Sequence, residues 1–259
     1  MSTSPYAGRP ESEWARITKR LIGRHPLKLP TIVDVAVSAW KTLWKTTVGA
    51  GKTAVRLYDL RVPATIVGYF FEILFAKELQ RRSPELWRGG RSKEEKDLVC
   101  LTDAGLSVEI KTSGQCGFKV YGNRSYGQRS KNDLLVKKEK SGYYITANFF
   151  ERSLTLLRFG WIDAEDWEPQ KAPTGQMAGL KPGAYRYKLI DIPGVYRQEA
   201  PVIVLDGIGS KADEELRTAG VCTVGDLLKN RDKLPKHLAR LAEKNRPFLD
   251  ACNDPSIDK

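Results

Sequence analysis

The sequence predicts an α/β fold: a mixed central sheet flanked by helices, followed by a small all-helical C-terminal domain. Three observations predict it. The chain has 259 residues and 41% hydrophobic content, which suits one sizeable packed domain and a small one rather than disorder. Apolar residues recur at helical spacing over residues 11–79, then give way to period-two alternation and β-rich runs over residues 98–162. Beyond a stretch bearing proline and glycine at residues 190–201, short segments with helix caps and stops return. The boundaries predicted are a larger domain over residues 1–195 and a smaller one over residues 201–254.

Taken in order, residues 11–22 carry Trp14, Ile17, Leu21 and Ile22 on one helical face, with Gly23 as the stop signal. Residues 32–44 repeat the pattern with Val33, Val37, Trp40 and Trp44. The run VGAGKT at residues 48–53 imitates a phosphate loop, but the first glycine of that motif would fall at Thr46, so it reads as an ordinary loop. Residues 64–79 (ATIVGYFFEILFAKEL) predict a strongly apolar helix lying under a sheet, with Glu72 inside its apolar stretch. Residues 81–96 read as a charged loop. Residues 98–101 are a short apolar run, residues 102–105 hold turn chemistry, and residues 106–112 alternate. A long polar segment at residues 114–140 precedes two β-rich runs at residues 143–149 and 154–162. Residues 164–188 show no clear period, and residues 190–201 read as a linker.

Charge narrows the function classes. Lys+Arg 43 against Asp+Glu 31 gives a net charge of +12, which favours an anionic partner, nucleic acid first. No apolar run is long enough to span a bilayer, and the N-terminal residues lack the apolar core of a secretory signal, so a cytoplasmic protein with no membrane partner is expected. The cysteines Cys100, Cys116, Cys222 and Cys252 are scattered, and only His25 and His237 could assist them, so free thiols are expected and no zinc site is visible. Neither histidine sits in a nuclease motif. If this chain cleaves phosphodiesters, carboxylates and lysine must do it.

One hairpin offers them. In KDLVCLTDAGLSVEIKTSGQ, Val108 and Ile110 fall on one face of a strand, with Glu109 and Lys111 on the other. A tight turn at residues 102–105 sets Asp97 opposite Glu109, within a residue of register. Two carboxylates and an ammonium then converge. Paired carboxylates suit Mg²⁺, which takes oxygen ligands and keeps several waters, and Mn²⁺ can substitute. A lysine beside them can orient a water or neutralise charge developing on a phosphate. The plainer alternative is a solvated strand face. Glu72 has two readings as well: an edge position on an amphipathic helix, or a carboxylate that is paired or binds metal inside the apolar stretch.

The pattern resembles the PD-(D/E)xK nuclease core, with Lys96 standing where the family name has proline. That resemblance implies Asp97 and Glu109 as metal ligands and Lys111 as the catalytic lysine, and in many such nucleases a glutamate of the preceding helix, here Glu72, also reaches the active site. A longer resemblance is carried by SPYAGRPESEW, KDLVCL with SVEIKTS, GNRSYGQ, KSGYYITANFF, LRFGWID and Pro173-Thr174-Gly175-Gln176. Together these are similar to the ScaI-type restriction endonuclease family, over about residues 4–189. The resemblance implies a restriction-endonuclease-like core, a Mg²⁺-dependent type II enzyme, a homodimer cutting both strands of a short site in double-stranded DNA, and a cognate DNA methyltransferase. In the polar segment, Gln115, Asn123, Arg124, Ser125 and Tyr126 carry donors suited to phosphate or base-edge contacts.

The C-terminal stretch LDGIGSKADEELRTAGVCTVGDLL resembles a helix-hairpin-helix, a family that grips the DNA backbone. Gly207 and Gly209 allow close approach of backbone N–H groups at a helix start, and Lys211 adds charge there. A small helical bundle using Gly-Ile-Gly as a turn is the alternative, as is a protein-contact role. Two rival functions remain open on sequence alone: a structure-specific repair or recombination nuclease, and a DNA-binding protein without catalysis.

Overall fold

A computed structural model describes residues 4–123, 139–169 and 177–252. Its centre is a six-stranded mixed sheet in the order β11-β8-β7-β5-β4-β3. The strands are β3 (Trp87–Gly89), β4 (Leu98–Cys100), β5 (Val108–Ser113), β7 (Gly142–Phe150), β8 (Ser153–Ile162) and β11 (Leu189–Ile192). β5 and β7 run parallel and the other neighbours antiparallel. The predicted mixed sheet is therefore present. Before it come α1 (Glu11–Arg24), α2 (Leu29–Lys45) and α3 (Ala64–Arg82), with a two-residue ribbon of β1 (Thr47–Val48) and β2 (Val55–Arg56) between α2 and α3.

Period-two alternation divides the apolar side chains of the sheet between two layers. Val108, Ile110, Ile145, Leu157 and Phe159 join buried residues of α1, α2 and α3 in the main core. Tyr144 and Ile162 meet Val120, Trp167, Ala178 and Leu180 in a smaller one. That second layer includes a three-stranded sheet of β6 (Tyr121–Asn123), β10 (Met177–Leu180) and β9 (Trp167–Pro169). α3 lies directly on β5. A Cβ at Gly68 would stand 2.2 Å from Thr112 Oγ1, and one at Gly114 would meet Ala64 Cβ at 2.7 Å and the Phe149 ring at 2.5 Å. Glycine at these two contacts sets the helix-to-strand distance.

Several sequence expectations need correcting. Gly23 does not stop α1, which runs on to Arg24 before the extended His25-Pro26 breaks it. The charged loop of residues 81–96 contains the edge strand β3, with Trp87 buried and Arg88 forked onto Glu95 at 2.8 and 2.5 Å. The stretch read as a linker contains part of β11 and a 3₁₀ turn, Val195–Glu199, in which Tyr196 and Arg197 are buried. Arg197 is tolerated there because Nη2 donates to Ile192 O at 2.8 Å and its guanidinium lies over the Phe248 ring.

The N-terminal motif and the end of β8 meet at one buried lysine. Lys188 Nζ lies 2.7 Å from Asp163 Oδ2 and 2.8 Å from Asp166 Oδ2, over the rings of Tyr6 at 4.5 Å and Trp14 at 4.4 Å. Ser4 Oγ donates to the same Asp163 carboxylate at 2.9 Å. Segments far apart in sequence, SPYAGRPESEW and LRFGWID, are thereby parts of one charged knot.

Residues 200–252 make a separate core around Val202, Ile208, Leu216, Val224, Leu227 and Leu249. It is built from α4 (Ser210–Thr218), α5 (Val224–Asn230), α6 (Lys236–Lys244) and α7 (Arg246–Asp250). α4 ends at a glycine: Gly220, at φ +77°, lets Val221 N–H bond Leu216 O at 2.8 Å and close the helix. Thr223 and Asp226 then form a reciprocal cap on α5. The turn before Gly207 is a 3₁₀ segment, Val202–Val204, where a complete helix-hairpin-helix would have an α-helix. No helix among the described residues is long and apolar enough to cross a membrane.

Candidate active site

β4 and β5 pair through Leu98 opposite Val108, and the same register sets Asp97 beside Glu109. Asp97 Oδ2 accepts from the Ile110 backbone N–H at 2.7 Å. The expected register holds, but the turn is wider than expected. A 3₁₀ segment, Ala104–Leu106, fills it, with Asp103 Oδ1 accepting from Gly105 N–H at 2.8 Å. The buried ring of His25 braces this connection. Nδ1 accepts from Leu27 N–H at 3.1 Å, so Nε2 carries the proton and donates to Leu106 O at 3.0 Å. Burial holds the His25 pKa below its ordinary value.

β5 lies inside the sheet, with Glu109 paired to Tyr144 and Lys111 to Thr146 on β7. Glu109 is only 2% exposed. Lys111 Nζ donates to Glu109 Oε1 at 2.6 Å and to Ile110 O at 3.2 Å. A solvated strand face is thus the wrong description of these two residues. A carboxylate taken this far from water needs a counter-charge, and Lys111 supplies one.

Sequence reasoning missed a second cation here. Lys96 Nζ donates to Ser141 O at 3.0 Å and stands 5.1 Å from the centre of the Tyr144 ring, the β7 neighbour of Glu109. Its only signal in the sequence was its place immediately before Asp97.

Asp97 and Glu109 offer oxygen donors alone, the type that Mg²⁺ prefers, and an ion that keeps several waters needs few protein ligands. The donor set fits that ion. Among the described residues no three His, Cys, Asp or Glu side chains stand together as a metal cage. Glu72 is half-buried on α3, one turn beyond Gly68. All four cysteines are free.

The other candidate residues divide. Gln115 is exposed just beyond β5, and Asn123 is exposed at the end of β6, opposite Met177 of β10. Arg124, Ser125 and Tyr126 lie outside the described residues, as do Pro173 to Gln176. In the C-terminal module Gly207 has φ +81° and packs against Leu241 and Lys244. Gly209 differs: its φ is −91° and a Cβ there would meet nothing within 4 Å, so internal packing does not demand glycine. Lys211 is exposed on the first turn of α4.

A polar network beside the site also escaped the sequence reading. Arg158 is 6% exposed on β8 and bonds Asp191 Oδ1, Asn148 Oδ1 and Phe118 O at 2.8, 3.0 and 3.0 Å. A lone arginine in an otherwise apolar strand was the available signal, because a buried guanidinium must have partners.

The part of the chain that carries this geometry is similar to known proteins. Residues 4–193 match the ScaI restriction endonuclease family. The chain is 33% identical over 187 residues to the type II restriction enzyme ScaI of Streptomyces caespitosus, a match covering 69% of this chain and 80% of that enzyme. The C-terminal core lies beyond the matched residues. With most of its length matched, hairpin and central sheet included, the chain belongs to the ScaI restriction endonuclease family.

Proposed function

We propose that this protein is a Mg²⁺-dependent type II restriction endonuclease, hydrolysing phosphodiester bonds in both strands of duplex DNA at a short specific site. The observation that carries the reading is the meeting of Asp97, Glu109 and Lys111 on adjacent strands, within the part of the chain that matches the family. Asp97 and Glu109 would hold the ion, which when bound supplies Lewis-acid stabilisation and a more acidic water. Lys111 is tethered to Glu109 and carries a proton close to where the scissile phosphate must sit. It orients the attacking water and offsets charge growing on the phosphate oxygens. The backbone bond from Ile110 N–H fixes Asp97, so the two carboxylates keep their spacing when DNA arrives.

A homodimer is part of the proposal, since two-fold symmetry gives each strand its own site. α3 turns Ile66, Tyr69, Phe70 and Ile73 outward at helical spacing, with Tyr69 70% exposed, and an apolar face of that kind suits a second copy. In the C-terminal module, the open space at Gly209 and the charge of Lys211 suit a backbone phosphate at the start of α4. A cytoplasmic setting and a methyltransferase protecting the host sites complete the reading. The test is digestion of a sequenced phage genome by the full chain. Discrete fragments with ends mapping to one sequence, formed with Mg²⁺ and not in excess chelator, are expected. Intact DNA in every metal, or cuts set by DNA structure instead of sequence, would overturn it.

A further inference from the structure

The span that leaves β5 is held at both ends by other parts of the protein. At its start, Gly114 is wedged between Ala64 and the Phe149 ring with no room for a side chain. Four residues later the C-terminal module takes over. Phe118 stacks on Phe248 of α7, ring centres 5.0 Å apart and planes within 15°. Phe248 is backed by the buried Arg197 guanidinium at 4.9 Å, and Cys116 Sγ donates to Ile203 O at 3.3 Å. On the other side Arg158 donates to Phe118 O and Asn148 to Lys119 O. Between the two anchors lie residues 115–117, with the Gln115 side chain exposed only four residues beyond Lys111.

We propose that the C-terminal module positions this span through the Phe118–Phe248 stack, and so helps to determine which DNA sequence is cut. The inference deepens the restriction-endonuclease reading and rests on it. The physics is that of a short chain fixed at two points. With Gly114 immovable, the seat of Phe118 decides where Gln115 stands relative to Lys111 and the DNA held there. Releasing one anchor lets that polar side chain sample several positions, and discrimination between similar sites depends on holding it in one. Phe248 is thus a positioning residue. It works through Phe118, at the opposite end of the module's job from the proposed phosphate contacts of Gly209 and Lys211, which would carry no sequence information.

The experiment compares the full-length Phe248→Ala, Phe248→Tyr and Lys211→Ala proteins with the wild type. Two things are measured: amide hydrogen exchange at residues 114–120, and relative cleavage of the cognate site and its single-base variants. Phe248→Ala is expected to speed exchange across residues 114–120. It should also lower the cognate-to-variant ratio of kcat/KM by about tenfold or more, since small misplacements near a reacting centre have effects of that size. Phe248→Tyr keeps the ring stack and should restore both. Lys211→Ala should weaken binding to all duplexes and flatten the salt dependence by a slope of about 0.9, with the ratio unchanged. Should Phe248→Ala not fold, Phe118→Ala removes the same stack from the other side. Unchanged exchange would overturn the brace. Faster exchange with an unchanged cleavage ratio would overturn its part in discrimination. If the wild-type chain cuts no specific site, the functional reading falls, and the exchange result alone decides whether the brace exists.

Discussion

Lys111→Met gives the most direct test of the candidate site, because methionine keeps an unbranched side chain one atom shorter and removes the charge and the hydrogen bonds of the ammonium. In the folded protein Lys111 Nζ stands 2.6 Å from the carboxylate of Glu109, itself 2% exposed. Two unit charges at that distance attract by about 6 kcal/mol at an effective dielectric constant of about 20. Desolvation offsets much of this, yet removing one partner of a buried pair takes away the counter-charge of the other and typically costs about 3–5 kcal/mol. For a chain of this size each kcal/mol lowers Tm by roughly 2–4 °C, so thermal denaturation should show a loss of about ten degrees. Cleavage should fall by roughly 10²–10⁴-fold, the usual scale for losing a group that manages a proton in the transition state. The two losses should separate on adding Ca²⁺ or Mg²⁺. A cation binding the Glu109 carboxylate raises Tm more in the variant than in the wild type, while cleavage stays low. Single-turnover cleavage of supercoiled plasmid and melting by circular dichroism read both. A wild-type cleavage rate would refute the active-site assignment, and an unchanged Tm would refute the view of Lys111 as the counter-ion of Glu109.

Asp97→Asn keeps an oxygen acceptor for Ile110 N–H and removes the charge, so cleavage should be lost while gel-shift binding to duplex DNA in Ca²⁺ persists. Retained cleavage would remove Asp97 from the site. His25 is buried and its pKa is lowered, so the unfolded chain takes up more protons as pH falls below about 6.5 and stability must decline there. Melting curves from pH 8 to pH 5 should show that decline, and His25→Gln should flatten it; a slope unaffected by the substitution would assign it to other groups. Gly68→Ala gains roughly 1 kcal/mol of helix propensity but drives Cβ to 2.2 Å from Thr112 Oγ1, a clash that overpacking studies place at about 1–3 kcal/mol. The variant should melt lower, and Thr112→Ala added to it should recover most of the loss. Simple additivity of the two changes would show that α3 does not press on β5 there.

The sequence showed long periodic elements well and short ones badly. α3 is apolar enough to be read within a few residues of its end, and β7 and β8 follow from β-rich runs broken by a turn. β3 was missed because a strand of three residues, Trp87-Arg88-Gly89, has no period to display and is surrounded by charges. Pro193-Gly194 was read as the mark of a linker, yet it only turns the chain between β11 and a buried 3₁₀ segment. At the site, the hairpin register was legible because period-two alternation fixes it. What alternation cannot show is whether a polar face meets water. Glu109 is buried because β4 and β7 flank β5 and Lys111 folds back on it, and these are tertiary facts. The same holds for the anchors at Phe118 and Lys119. Their partners, Phe248, Arg158 and Asn148, are 29 to 130 residues away.

Glu72 is where helix packing bears on two readings that sequence left even. On α3 the residues Ala64, Gly68, Glu72 and Ala76 follow one another by single turns. The first two lie against Gly114 and Thr112 of the β5 strand and its exit, and Ala76 lies against Gly89 of β3. β4 is between those strands, so the row crosses β4 near Glu72, and Gly89 pairs with Leu98, the residue after Asp97. Yet the side chain facing the helix from β5 is Thr112, while Glu109 and Lys111 alternate to the other side. We propose that a carboxylate on α3 reaches Asp97 round the end of β4, not through the sheet. That geometry suits an outer role, through water, better than direct ligation. Substitutions at such outer positions usually cost about 10–100-fold. Glu72→Gln should accordingly lower cleavage by that much, with a Tm close to wild type and a raised metal concentration for half-maximal rate. A loss as complete as that of Asp97→Asn would make Glu72 a direct participant, and an unaltered metal dependence would return it to an ordinary position on the edge of its helix.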